Sequence, residues 1–261
     1  MKVQIIVILF LVVSLNCFCQ SNDKWRAGSA YSLNGKTYVL TIFISETDWD
    51  YKEKLKLYDK VKEAQNWLIS QAKTYKKTIE FSGGNFGLNK TIIVDNIVSG
   101  TGSGKEPVDL VSKILKKVGY SSNLQFVDWV KKNTDCTNSL VLLIANKAGR
   151  GYSMEYSNGM EKEKYFLEGC LLYKKYDENS SLASSSIAHE FLHLFGAWDL
   201  YQTFEQSKEK EDKARKIYPD DIMLRTSYNI NELKIDKLTA WLVGLNSVQE
   251  STFEWFRPKD H

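Results

Sequence analysis

The chain is poor in the residues that punctuate or staple a protein: three prolines, four cysteines and three histidines among 261 residues. So few prolines leave no proline-rich linker. No serine-rich linker or internal repeat takes its place, so nothing in the sequence separates domains. An excess of one charge is lacking too, with 35 lysine and arginine against 32 aspartate and glutamate, a formal net charge of +3. The basic residues are scattered, without an aromatic-interleaved patch, which removes any electrostatic case for nucleic acid as a partner. No apolar run reaches the roughly 20 residues of a membrane span.

What is present is ordinary for a soluble globular protein: 43% hydrophobic and 26% charged residues, in a chain long enough for one substantial core. The first twenty residues stand apart. Met1-Lys2 gives a short positive end, residues 5–15 are apolar apart from Ser14, and Asn16-Cys17-Phe18-Cys19-Gln20 closes the stretch. That layout is a secretory signal peptide over residues 1–19, which implies a secreted or periplasmic mature chain over 20–261. A lipid anchor on Cys17 or Cys19 is disfavoured by the bulk of Asn16 and Phe18 just before them. Removing the signal leaves Cys136 and Cys170. In an exported chain such a pair is expected to form the one possible disulfide; two buried free thiols are the other reading.

Hydrophobic periodicity predicts a strand over 36–47, a helix over 49–75 capped by Thr47 or Asp48, and a second strand over 91–98. A flexible loop at 99–106 follows, then helices near 108–118 and 123–132. Residues 139–145 (SLVLLIA) read as a buried central strand and 166–173 as another. Helices are expected over 184–195, 204–217 and 232–245. The fold class is therefore α+β: a mixed, α/β-like sheet with an active-site helix through residue 196, then a mainly helical portion over 197–261, in one catalytic domain. Only residues 20–35 separate the expected cleavage point from the first strand, which leaves no room for a large inhibitory prodomain. The segment GTGSGK at 100–105 is not a phosphate-binding loop: Ser99 stands where that loop needs glycine, and Glu106 where it needs Ser or Thr.

The chemistry concentrates in His189-Glu190-Phe191-Leu192-His193-Leu194-Phe195-Gly196-Ala197-Trp198-Asp199. Helix residues four apart share a face, so both imidazoles can meet one metal ion. Glu190 then lies beside the metal, where it suits a general base acting on water. With three histidines in the chain, such a pattern arises by chance in about one chain in a hundred. Gly196 can end the helix sharply and let Asp199 return as a third ligand. Glu209, in the charged run EQSKEKEDKARK, is a competing third ligand, although that run also reads as a solvated helix face.

The full string HExxHxxGxxD resembles the zinc site of the metzincin clan of metalloendopeptidases, and within it the snapalysin type, whose third ligand is aspartate. The resemblance covers residues 189–223. It implies a Zn²⁺ cofactor held by His189, His193 and Asp199, with Glu190 catalytic, and a metzincin-like fold. It also implies a methionine turn under the metal, which places Met223 of Pro219-Asp220-Asp221-Ile222-Met223 as the apolar floor. The tyrosine that some members carry two residues later is Arg225 here. That leaves Arg225 or Tyr228 for contact with the transition state or substrate. An edge strand upstream of the motif helix, around residues 148–156, would pair with the substrate backbone. The expected function is a secreted zinc metallopeptidase acting on protein or peptide. A zinc-containing binding or adhesion module without turnover, or an amidase of cell-wall peptide, are the alternatives.

Overall fold

The computed structural model describes residues 27–97, 105–156, 159–177 and 179–259; the expected signal peptide over 1–19, residues 99–104 of the expected loop and His261 lie outside them. Strand β1 (Gly35–Ser45) leads into helix α1 (Tyr51–Thr74). Asp50 caps α1, its carboxylate accepting from the Glu53 N–H at 3.0 Å, so the cap falls two or three residues beyond the expected Thr47 or Asp48. A cap of this kind stabilises a helix by about 1 kcal/mol. The helix buries Leu57, Val61, Ala64, Leu68 and Ala72 on one stripe, while Leu55 faces solvent. Each large apolar side chain on that stripe contributes about 1.5–3 kcal/mol of transfer free energy.

Strand β2 (Ile79–Phe86) was not expected, and the strand expected over 91–98 shrinks to β3 (Ile92–Ile93). Gly83 explains the first miss. Its φ is +150°, and a Cβ there would stand 1.9 Å from the Val39 carbonyl oxygen, so β2 pairs with β1 through a residue that hides the strand pattern. Helices α2 (Lys105–Lys117) and α3 (Asn123–Asn133) lead to β4 (Asn138–Ala148). Short β5 (Tyr152–Met154) and α4 (Lys162–Tyr165) precede β6 (Glu168–Lys175) and the motif helix α5 (Ser184–Leu194). The C-terminal portion holds α6 (Lys208–Ile217) and α7 (Lys237–Leu242), both shorter than expected, with two short 3-10 turns.

The sheet runs β2-β1-β4-β6-β5, and β3 pairs directly with the end of β1 at Ile44 and Ser45, past the stretch that pairs with β2. All pairings are parallel except β5 with β6, so the fold is the expected α+β class with a mixed sheet. The central strands are buried on both faces, which is why β4 reads as an uninterrupted apolar run. Leu140, Leu142 and Ile144 join the core under α1 and α5, whereas Val141, Leu143 and Ala145 face α2 and α3. The same parity corrects the expected disulfide. Cys170 belongs to the first core and Cys136 to the second, so the sheet separates two free thiols. Among the described residues no helix is long and apolar enough to cross a membrane.

At the start of β6, fully buried Glu168 accepts from the Ala30 N–H at 2.6 Å and the Tyr156 N–H at 3.1 Å. Burial pushes its pKa up to about 8, against the pull of those two N–H groups. The folded chain thus keeps a proton here that the unfolded chain gives up near its ordinary value of 4.5. This contribution to stability is complete below about pH 4.5 and is lost as pH rises through about 8. Thermal melts of Glu168→Gln across that window are expected to lose this component of the pH slope. A slope unchanged from the parent would contradict it.

Candidate metal centre

Helix α5 packs against α1, β5 and β6, and its apolar face (Ile187, Ala188, Phe191, Leu192, Leu194) is buried. Phe191 stacks on Phe81 of β2 at 6.1 Å between ring centroids. That anchoring turns the opposite edge of the helix, with His189, Glu190 and His193, towards the cleft beneath β5.

The helix ends in a Schellman turn. Ala197 N–H bonds to Leu192 O at 3.0 Å and Gly196 N–H to His193 O at 2.8 Å. Gly196 sits at φ +88°, where a side chain would be strained. The turn does two things. It brings the Ala197 carbonyl to 2.8 Å from His193 Nδ1, and it returns the chain so that Asp199 faces both imidazoles.

The other imidazole is held from below. His189 Nδ1 lies 2.9 Å from the carbonyl oxygen of Ile222, in the turn before Met223. Carbonyl oxygens only accept, so each ring carries a proton on Nδ1 and, when neutral, leaves a bare lone pair on Nε2. Those two Nε2 atoms lie 3.1 Å apart, and Asp199 Oδ1 lies 3.2 and 3.1 Å from them. Oδ1 is buried and has no partner besides these two nitrogens.

Three acceptors thus converge with nothing to share but a cation. Burial works against charge on His193, yet the Asp199 carboxylate, with Glu190 and Glu155 behind it, lifts its pKa to about 10. Burial likewise opposes charge on Asp199, but the two imidazoles hold it well below the usual carboxylate range. Surroundings that attract a proton attract a divalent ion in its stead. The spacing fits: bonds of about 2.0–2.1 Å to a tetrahedral ion put ligand atoms roughly 3.3–3.4 Å apart, close to the observed triangle. Nitrogen and carboxylate oxygen donors suit zinc. Glu209, the competing ligand, is exposed on α6, remote in role from this cluster.

Glu190 turns to the edge strand. Ser153 Oγ of β5 lies 2.7 Å from Glu190 Oε2 and 2.9 Å from its backbone carbonyl, which fixes the carboxylate against the cleft. A Cβ on Gly151 would meet Leu172 at 2.8 Å and Glu190 Oε1 at 3.5 Å, so the turn before β5 approaches the site closely because it lacks a side chain. Sequence reasoning missed Ser153, and no local signal marks it.

It also missed Asp221, which knits together the turn that carries Ile222 and Met223. Asp221 is fully buried, accepting from Met223 N–H at 2.7 Å and Thr239 Oγ1 at 3.0 Å on one oxygen and from Asp236 N–H at 2.7 Å on the other. Burial raises its pKa to about 6 despite these donors. Met223 is completely buried next to Ile222, and its carbonyl accepts from Leu200 N–H, tying this turn to the Asp199 loop. Arg225 lines the wall of the cleft, its guanidinium bonded to Asp220 at 3.0 Å and to the Pro219 carbonyl at 3.2 Å. Tyr228 is 71% exposed and lines neither half of the cleft. Burial, and then the nearby Glu190 carboxylate, push the Cys170 thiol up, which disfavours its thiolate.

No protein-family model matches the chain, and no curated protein does. Among solved structures, metalloproteinase-II from Bacteroides fragilis matches with a TM-score of 0.36 and 12% identity, over 82% of this chain and 54% of that one. The chain thus spans about half the length of that structure. A likeness of this size leaves the argument to the geometry of the site.

Proposed function

We propose that the chain is a zinc-dependent endopeptidase, its metal held by His189, His193 and Asp199 and its general base Glu190. The observation that carries this reading is the triangle of bare acceptors beside a carboxylate positioned by Ser153. Zinc bound there supplies a Lewis acid that lowers the pKa of water towards about 7 and polarises a carbonyl. Glu190 takes the proton from the attacking water and passes it to the departing amine. The Ile222 and Ala197 carbonyls keep both imidazoles in the one tautomer that leaves Nε2 available.

Among the described residues strand β5 pairs only with β6, which leaves its other edge for an extended peptide to pair with. A structural zinc site has no use for an acid–base residue held in a cleft, which favours turnover over a binding module. With the export signal read at residues 1–19, the substrate is protein or peptide outside the cytoplasm. The zinc-loaded chain is expected to cleave a mixed peptide library, to stop on chelation and to resume on return of zinc. Cleavage indifferent to chelation would sink the reading.

A further inference from the structure

Two cavities flank the candidate metal centre, of about 330 and about 430 Å³. The first runs under the turn before β5 to Leu172 and Arg225, the second past Ser153 and His193 to Phe204. Three side chains line both: Glu190, Arg150 and Tyr201. An extended peptide filling the cleft has its scissile bond within reach of Glu190, hence at this junction, and the other two groups there are Arg150 and Tyr201.

These two residues come from opposite rims. Arg150 belongs to the turn between β4 and β5, and Tyr201 to the loop that follows Asp199. Arg150 Nη2 lies 3.0 Å from the Tyr201 phenol oxygen, with the guanidinium 6.0 Å from the ring centroid. The Tyr201 ring is in turn inclined 30° to that of His189, 6.1 Å away. A guanidinium only donates, so the phenol oxygen accepts from Arg150 and keeps its own proton to give. No acceptor among the described residues takes that proton. The phenol O–H is a donor, and a cation seated on its oxygen polarises that O–H towards whatever accepts from it.

We propose that Tyr201, oriented and polarised by Arg150, donates a hydrogen bond to the carbonyl oxygen of the scissile peptide as negative charge gathers on it. No bond of Tyr201 is made or broken, and the phenol proton stays on its oxygen. Tyr201 is then a catalytic residue and Arg150 a positioning residue. The role so filled is the one for which the sequence offered Arg225 or Tyr228. Arg225 is engaged by Asp220, and Tyr228 stands clear of both cavities. The inference rests on the peptidase reading above.

The test compares Tyr201→Phe and Arg150→Met with the parent chain in four measurements. These are kcat and KM on a cleaved peptide, affinity for a phosphinic peptide, affinity for the matching uncleaved peptide on a Glu190→Gln background, and zinc affinity against a chelating dye. Tyr201→Phe is expected to lower kcat about 100-fold with KM within about threefold, the typical loss of one oxyanion donor. The phosphinic peptide, whose anionic oxygen stands in for the developing charge, is expected to lose affinity in parallel. Affinities for zinc and for the uncleaved peptide stay at parent values. Arg150→Met is expected to follow in the same direction by about tenfold.

A kcat kept within about threefold in Tyr201→Phe overturns the proposal. So does a loss that appears in KM or in zinc affinity instead, since it would make Tyr201 a structural or ground-state contact. If the parent chain cleaves nothing, the peptidase reading fails first. Parent-level affinity of Tyr201→Phe for the phosphinic peptide would then overturn the inference separately.

Discussion

Asp199→Ala is expected to cost more in zinc affinity than the roughly 10–100-fold lost when a residue behind a ligand is changed, and to abolish peptide cleavage with it. The expectation follows from the triangle of ligand atoms: removing Asp199 Oδ1 leaves two neutral imidazoles and takes away the one anionic ligand. The fold has little stake in the change, because the loop is fixed by backbone bonds from Ala197 to Leu192 and from Leu200 to Met223. Glu209→Ala is the control. It removes the competing ligand from an exposed helix face and is expected to leave zinc affinity at the parent value. Competition with a chelating dye measures both. The opposite pattern, with Glu209 essential and Asp199 dispensable, would require a different ligand set.

Glu190→Ala separates chemistry from metal binding. The side chain is not among the three convergent ligands, so zinc affinity should hold. Turnover should fall by about 10²–10⁴, the usual contribution of a positioned general acid–base group. The loss is expected in kcat, with KM little changed, because the carboxylate acts on protons rather than on the peptide's position. Ser153→Ala offers a milder version, freeing the carboxylate from its 2.7 Å partner without deleting it. Equal cleavage by the parent and Glu190→Ala would mean that the reaction runs elsewhere.

The convergence of His189, His193 and Asp199 was the most legible part of the sequence because its geometry is local. Spacing of four on a helix puts His189 and His193 on one face, and Gly196 provides the left-handed turn that returns Asp199. The central strand β4 was legible for a related reason: burial on both faces writes itself as a continuous apolar run. Features set by tertiary contact were not. Strand β2 carries Gly83 and Gly84 amid polar residues, and three-residue β5 is too short for alternation to show. Ser153, Asp221, Arg150 and Tyr201 gain their meaning only from chains brought together across the cleft. The disulfide was misread because pairing depends on which side of the sheet each thiol packs, and Cys136 and Cys170 pack in the cores on opposite sides.

Crystals grown with zinc and measured on either side of the zinc absorption edge test the central claim most directly. The account predicts one anomalous peak about 2.0–2.1 Å from His189 Nε2, from His193 Nε2 and from an Asp199 carboxylate oxygen. A peak on any other set of ligands, or none at saturating zinc, would contradict it.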